Sequence, residues 1–287
     1  MRLVATVLCW LVATSALAVA VPSGWAERNV IDADGYSALA QSAAHDRKLQ
    51  GAMAAELAAQ LGTLARNRGY RGDSGVVLGA ATAYTAGPSF PGQFADANRV
   101  AHRWLFTDSA RATDEGWQID LTPMLADTSF KQTLSALNVN VPQSVTVPVT
   151  SDTAEAIRPG ELKPLATWWP WVSIGSLLLT AVAALLTLAF ARRRGKALAA
   201  LGVSALLVGG AGWAALAIGR GYIDDALNRT TGNVRTIADV MVTHAIGDLH
   251  QWLNLTLAAG GVLVVFGVIA AVLASIRRNE PAPARPT

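Results

Sequence analysis

Four apolar runs dominate the pattern of this chain: Leu3 to about Val21, Trp169 to Ala191, Ala197 to Ile218, and Leu253 to Ile276. Each approaches or exceeds the roughly 20 residues that carry a helix across a ~30 Å hydrocarbon layer, the first only marginally. The last three contain no Asp, Glu, Lys, Arg or His. Charge bounds them: Lys163 before the second, Arg192 to Lys196 between second and third, Arg220 after the third, Arg277 and Arg278 after the fourth. Trp168, Trp169 and Trp171 lie at the start of the second run and Trp252 at the start of the fourth, where indoles anchor spans at the membrane–water interface. The pattern predicts a mainly α membrane protein with four transmembrane helices. These are an N-terminal anchor over 1–21, then 168–191, 197–218 and 253–276. Segments 22–167, 192–196 and 219–252 join them, and a tail, 277–287, follows.

Between the first and second runs the periodicity changes. Tyr36, Leu39, Ala40 and Ala43 recur at helical steps. A second helix is expected from Asp46, a good N-cap, through Met53, Leu57, Leu61 and Leu64 to Arg68, with Gly69 as its stop. Arg66, Arg68 and Arg71 crowd its end, where cations complement the helix dipole; an anionic head group is the other use of such a cluster. The charge-free stretch Val76 to Ala86 reads as a buried helix broken by Gly87, Pro88 and Pro91. Phe94 to Phe106 follows as a helix with Phe94, Ala97, Ala101, Trp104 and Leu105 inward. Trp117 to Leu125 and Ser144 to Val149 read as two strands, with a short helix, Ser129 to Leu137, between them. Segment 22–167 is therefore expected to be an α+β domain, helices plus a small two-stranded sheet. In 219–252, Ile223, Leu227, Val234, Ile237, Met241 and Leu249 recur mostly three or four residues apart, with a gap at Thr231 to Asn233. This predicts one or two amphipathic helices with Gly232 near the break. The tail is proline-rich.

Composition supports the membrane reading: 52% of the 287 residues are hydrophobic and 15% charged, against about 25% charged in soluble domains. Charge then orients the chain. The loop 192–196 has four bases and no acid, and the tail carries three bases against Glu280, so both are expected on the cytoplasmic side. The N-terminus joins them, and 22–167 and 219–252 fall outside, in a multi-pass arrangement in the plasma membrane. The expected cytoplasmic pieces carry +7, whereas 22–167 carries −3 and 219–252 carries −1. The overall +3 is thus a topology signature, and no nucleic-acid partner is expected, since that would need a basic patch on one domain. The single cysteine, Cys9, excludes a disulfide within the chain. Leu8 before it makes a poor lipoprotein signal. The small-x-small sites Ala16 to Ala18 and Ala18 to Ala20 fit a signal peptidase, but the run exceeds the usual h-region of about 7–15 residues, which favours an uncleaved anchor.

Candidate chemistry is sparse. Asp32 and Asp34 form a D-x-D that can hold a divalent metal for a nucleotide-sugar enzyme. Nucleotide sugars are cytoplasmic, this motif is expected outside, and no Gly-rich βαβ turn surrounds it. A cap at Asp34 for the helix it opens, with Asp32 paired to Arg28 and Trp25 as an interface anchor, is the preferred reading. Asn98 and His102 share a helix face with Arg99 beside them. With Asp120 from the first strand, His102 is the weak candidate for acid–base or metal work; a polar network joining helix to strand is preferred. His244, Asp248 and His250 lack the H-E-x-x-H spacing, and no G-x-S-x-G nucleophile occurs. No cofactor is expected. The spans hold none of the ionisable residues that proton relays and ion-coupled carriers need. Gly209, Gly210 and Gly212 in the third, and Gly260, Gly261 and Gly267 in the fourth, suit close helix packing.

The order of motifs carries a resemblance. Trp25 is followed by RNVIDAD (Arg28 to Asp34), then ANRVAH (Ala97 to His102), IDLTPM (Ile119 to Met124) and VTVPV (Val145 to Val149) before three closing spans. In this the chain resembles an actinobacterial, mycobacterial-type family of four-span integral envelope proteins. It departs from that pattern at Gly35, where a bulkier residue is usual, and Tyr36 takes the aromatic role. The family has no established activity, so the resemblance implies fold and location rather than mechanism. The expectation is a non-catalytic accessory, scaffold or sensor of a lipid or cell-wall assembly, in contact with membrane lipids and envelope protein partners. Two alternatives stay open: an extracytoplasmic lipid-binding or lipid-transfer module lined by Val76 to Ala86 and the 219–252 helices, and an extracytoplasmic hydrolase or transferase using His102 and Asp120.

Overall fold

The computed structural model describes residues 2–67, 74–107, 118–120, 146–148, 160–228, 230 and 232–276. The described chain is mainly helical: α1 (Arg2–Ala26), a π-turn (Glu27–Ile31), α2 (Ala33–Ala43), α3 (Arg47–Asn67), α4 (Ser74–Thr85), α5 (Phe90–Phe106), strands β1 (Gln118–Asp120) and β2 (Thr146–Pro148), then α6 (Lys163–Phe190), α7 (Arg194–Leu227) and α8 (Gly232–Ile276). It divides into two compact units: Met1–Glu27 with Trp169–Gly219 and Gly247–Thr287, and Arg28–Trp168 with Arg220–Ile246.

The first unit is a helical bundle. Four helices are long and apolar enough to cross a membrane: Leu3–Ile31, Lys163–Phe190, Arg194–Leu227 and Gly232–Ile276. Their outward faces expose Leu177, Leu178 and Leu185 on α6 and Val265, Phe266 and Leu273 on α8. Apolar surface on this scale is stable against lipid and aggregates in water.

Inside the bundle small residues bring helix backbones close together. A Cβ on Gly202 of α7 would lie 2.7 Å from the Gly260 carbonyl oxygen of α8, and a Cβ on Gly260 would lie 2.9 Å from that of Gly202. Gly195 and Gly267 repeat the approach, at 2.6 Å from the Ala271 nitrogen and 2.4 Å from the Ala199 nitrogen. The expectation for the neighbouring glycines needs correction: Gly210 and Gly261 meet nothing within 4 Å. Adjacent helical residues point about 100° apart, so only one of each pair can face the partner helix.

Helix α1 is held by hydroxyls and indoles. The Trp10 indole donates to the Ala200 carbonyl (3.0 Å), and Thr14 shares a hydrogen bond with Ser204 (2.7 Å). The Trp169 indole donates to the Ser23 carbonyl (3.0 Å). The helix passes through Pro22, which removes one backbone donor; one residue on, Ser23 Oγ donates to the Val19 carbonyl (2.6 Å).

Three boundaries differ from expectation. The first apolar helix does not end near Val21 but continues into the π-turn. The segment 219–252 forms no separate amphipathic helices. Helix α7 runs on to Leu227, and α8 starts at Gly232 and continues for 45 residues, about 68 Å at 1.5 Å per residue. The break falls where the glycine was expected, with Gly232 at φ +67°, a left-handed conformation that disfavours a side chain.

In the second unit α2 packs on α5 and α3 on α4. Leu49, Ala54, Leu57, Ala80, Ala81, Tyr84 and Phe90 form the core with Val240, flanked by Met53, Leu61, Phe94, Ile237 and Met241. Tyr84 and Phe90 meet edge-on at 5.8 Å. Asp46 caps α3 as expected, accepting from the Lys48 amide at 2.7 Å. Helix α4, expected as a buried helix, is buried along one face through Ala80, Ala81, Tyr84 and Thr85, while Leu78 is exposed. The inward face of α5 is also rotated from the expected one. Phe90, Pro91, Ala95 and His102 are buried and Ala97 is exposed. Arg220 ties α7 to α8 by holding Asp224 (3.0 Å), Asp239 and Thr243 (3.2 Å). Strands β1 and β2 pair antiparallel over three residues each, with Ile119 opposite Val147. The helix expected over Ser129 to Leu137, Arg68, Gly69, Arg71 and the tail lie outside the described residues.

The glycine seam makes a directional prediction. Gly202→Leu should destabilise the protein in detergent by about 1–3 kcal/mol through overpacking. Gly210→Ala, which meets open space, should leave stability unchanged or raise it by up to about 1 kcal/mol. Equilibrium unfolding of the two variants checks this; equal losses would remove the seam from the account.

Candidate functional site

The motif between Trp25 and Tyr36 builds a polar cluster with α5 among the described residues. Residues Glu27–Ile31 form a π-turn, in which the backbone takes one more residue per hydrogen-bonded loop than an α-helix. Asp32 follows in extended conformation (φ −72°, ψ 127°), and its carboxylate accepts from the Gly35 amide at 2.7 Å. Asp32 is therefore the N-cap of α2, and the expectation that Asp34 caps this helix is corrected. A cap needs a non-helical backbone and an oxygen aimed at an amide two or three residues on. Asp34 is already inside the first turn.

Asp34 instead pairs with Arg99 of α5, Oδ1 to Nε at 3.3 Å. The same guanidinium holds Asp96 (3.2 Å) and donates to Ser37 Oγ (2.8 Å). The expected Arg28–Asp32 pair is not formed, and Arg28 is exposed. Residues four apart are neighbours on an α-helix, but the π-turn and the extended Asp32 break that register. Gly35 fits this hand-over for a steric reason. A Cβ there would lie 1.6 Å from the Arg28 carbonyl oxygen, so no larger residue is accommodated.

His102 lies one turn further along α5 and is 5% exposed. Its Nε2 donates to the Val30 carbonyl of the π-turn at 2.8 Å, which fixes a proton on that nitrogen. The ring stacks on Phe106 (4.2 Å between centroids) and lies 5.2 Å from the Tyr36 ring. Asn98 donates to the Phe94 carbonyl at 2.9 Å, and the Tyr36 hydroxyl reaches Asn98 Oδ1 at 3.5 Å. Burial pushes the Tyr36 phenol above its ordinary value of 10.0. The side chain of Asp120 lies outside the described residues, so its expected partnership with His102 does too.

The remaining candidates are engaged separately. The Trp25 indole donates to Asp248 Oδ2 at 2.8 Å, a bond beyond its expected role as interface anchor. His244 bonds the Val240 carbonyl of its own helix (3.0 Å), and His250 stacks on Trp213 (3.8 Å). Among the described residues no group of three or more His, Cys, Asp or Glu side chains is placed to hold a metal ion. Asp32 and Asp34, the D-x-D pair, face different partners, an amide and a guanidinium. Sequence reasoning missed Ser37, the Val30 carbonyl and the steric demand at Gly35. Only Ser37 had a signal, three residues after Asp34, where its hydroxyl donates back to the Asp34 carbonyl (3.0 Å).

Fold and site together define the class: a multi-pass membrane protein with a helical second unit stitched by a π-turn and a buried histidine. Comparison with protein-family models, curated proteins and solved structures finds no match to this chain.

Two predictions follow from the cluster. Asp32→Ala should cost about 0.5–2 kcal/mol through loss of the cap. Asp34→Ala should cost only about 0–1 kcal/mol, because that carboxylate is 85% exposed and its pair is solvent-screened. Denaturant unfolding of both variants tests the order. The second concerns pH. A phenol whose folded pKa is raised leaves stability intact below its unfolded value and lowers it as pH climbs beyond that value. Stability should therefore begin to fall above pH 10.0, and Tyr36→Phe should flatten that fall; a parallel pH profile for the variant would assign the decline elsewhere.

Proposed function

We propose that this chain is a non-catalytic integral component of the cell envelope, working as an accessory, scaffold or sensor within a lipid or cell-wall assembly. The observation that supports this best is the use made of the residues most suited to chemistry. His102 bonds the Val30 carbonyl, Arg99 binds Asp34, Asp96 and Ser37, and Asp32 caps α2. These bonds hold helix ends to one another and leave the π-turn locked to α5. The bundle adds a second support: its internal polar contacts are hydroxyl and indole bonds suited to packing.

The charge pattern supports an orientation in the plasma membrane with 192–196 and both termini cytoplasmic and the second unit extracytoplasmic. The resemblance of RNVIDAD, ANRVAH and IDLTPM to the actinobacterial envelope family supports the same location. Protein partners in the envelope are part of this reading, because a folded unit tied to a bundle of this kind has surface to offer them.

Reporter fusions after Gly160, Gly195 and Gly232 should read outside, inside and outside. A cytoplasmic signal at Gly160 overturns the orientation. Photo-crosslinking in intact membranes followed by pull-down should recover a fixed set of envelope proteins; recovery of the chain alone contradicts the scaffold role.

A further inference from the structure

At one end of the bundle three helices leave an open cleft of about 440 Å³, within the range of small-ligand sites. Leu188 and Ala189 of α6, Leu198 of α7 and Ala270 of α8 supply its apolar walls, and Arg194 and Gly195 sit at its edge. Gly195 presses α7 against the α8 backbone, since a Cβ there would lie 2.6 Å from the Ala271 nitrogen. Arg192 and Arg193 lie in the turn just before α7, and Lys196 lies one residue beyond Gly195. All four cationic side chains are exposed, and among the described residues none meets a carboxylate. The sequence supplies no nearby acid: none occurs between Lys163 and Asp224, nor between Asp248 and Glu280.

Four uncompensated cations beside an apolar cleft, at the end of membrane-spanning helices, present the two halves of one ligand. We propose that this cleft binds an anionic phospholipid, its phosphate held by the Arg192 to Lys196 cluster and an acyl chain laid against Leu188, Leu198 and Ala270. Guanidinium forks match phosphate oxygens in pairs. The apolar wall lowers the local dielectric and strengthens that attraction. It also separates a lipid from free phosphate, which has no use for Leu188 or Leu198. A zwitterionic lipid brings its own cation into the cluster and loses the advantage. This site is independent of the envelope-scaffold reading and of the second unit's polar cluster.

The test uses the full chain purified in mild detergent, with native mass spectrometry of added phosphatidylglycerol and of phosphatidylcholine carrying the same acyl chains. Phosphatidylglycerol should be retained roughly tenfold more than phosphatidylcholine. Excess inorganic phosphate should not displace it. Replacing Arg192, Arg193, Arg194 and Lys196 together with Gln should abolish the preference. Ala270→Trp, which fills the cleft and leaves every cation in place, should reduce it several-fold. Arg194→Gln alone serves if the fourfold variant does not purify folded. Equal retention of the two lipids, displacement by phosphate, or a preference untouched by Ala270→Trp each overturns the cleft as the binding site.

Discussion

Between helices in a hydrocarbon layer, leucine gains nothing by leaving lipid for another leucine, so backbone proximity and hydrogen bonds have to hold them. In this chain the proximity is concentrated where α7 and α8 cross at Gly202 and Gly260. The α8 residues met by the α7 glycines, or themselves closed in by α7, are Leu253, Leu257, Gly260, Val264, Gly267 and Ala271, spaced by alternating steps of four and three. That period is the one that keeps a seam facing its partner along a left-handed supercoil. Helix α1 then adds hydrogen bonds to α7 through Trp10 and Thr14 and to α6 through Ser23. The bundle is thus built from close contact and a few polar ties: Leu253 and Leu257 pack against α7 glycines, while leucines such as Leu177, Leu178, Leu185 and Leu273 face outward.

The second unit solves a different problem. It has no disulfide, since the chain has one cysteine, and it must end one long helix and begin another. The π-turn and the extended Asp32 separate the two helices in six residues, Glu27 to Asp32. His102, itself buried, supplies a partner for the part-buried Val30 carbonyl, and a buried ring nitrogen left without one would cost about 1–3 kcal/mol. Asp34 and Ser37, both on α2, then bind Arg99 of α5. The fold thus brings Asp34 beside Arg99, and sets Asp32 as a helix cap and His102 on a turn carbonyl, pairings that the sequence, with these residues on two separate segments, does not display.

The apolar spans were legible because hydropathy reports directly on what lipid tolerates. Their ends were not, because the backbone ladder of α7 and α8 continues into residues that lipid would reject, such as Asp224 and Asp239. The caps show a similar limit. Asp32 and Asp34 are chemically equal, and only the backbone angles, which periodicity does not contain, decide which one caps. The same turn explains why Arg28 and Asp32, four apart, do not meet. Gly209 and Gly210 teach the same lesson in the bundle, since composition marks both for packing and only the partner helix selects one. Asp46, an N-cap followed by a clear apolar stripe, was read correctly because every cue there is local.

The central claim is that His102 holds the π-turn in place. Unfolding of the full-length protein carrying His102→Ala or His102→Gln tests it most directly, with the partner set recovered from membranes as a second readout. The Ala variant should lose about 1–3 kcal/mol, from the lost bond to the Val30 carbonyl and the space left by a buried ring. The Gln variant, whose amide can donate from nearly the same position, should recover most of that loss and keep the same partners. A His102→Ala protein that is as stable as the parent, or a stable Gln variant that has lost a measured function, would contradict the account and return His102 to the list of chemical groups.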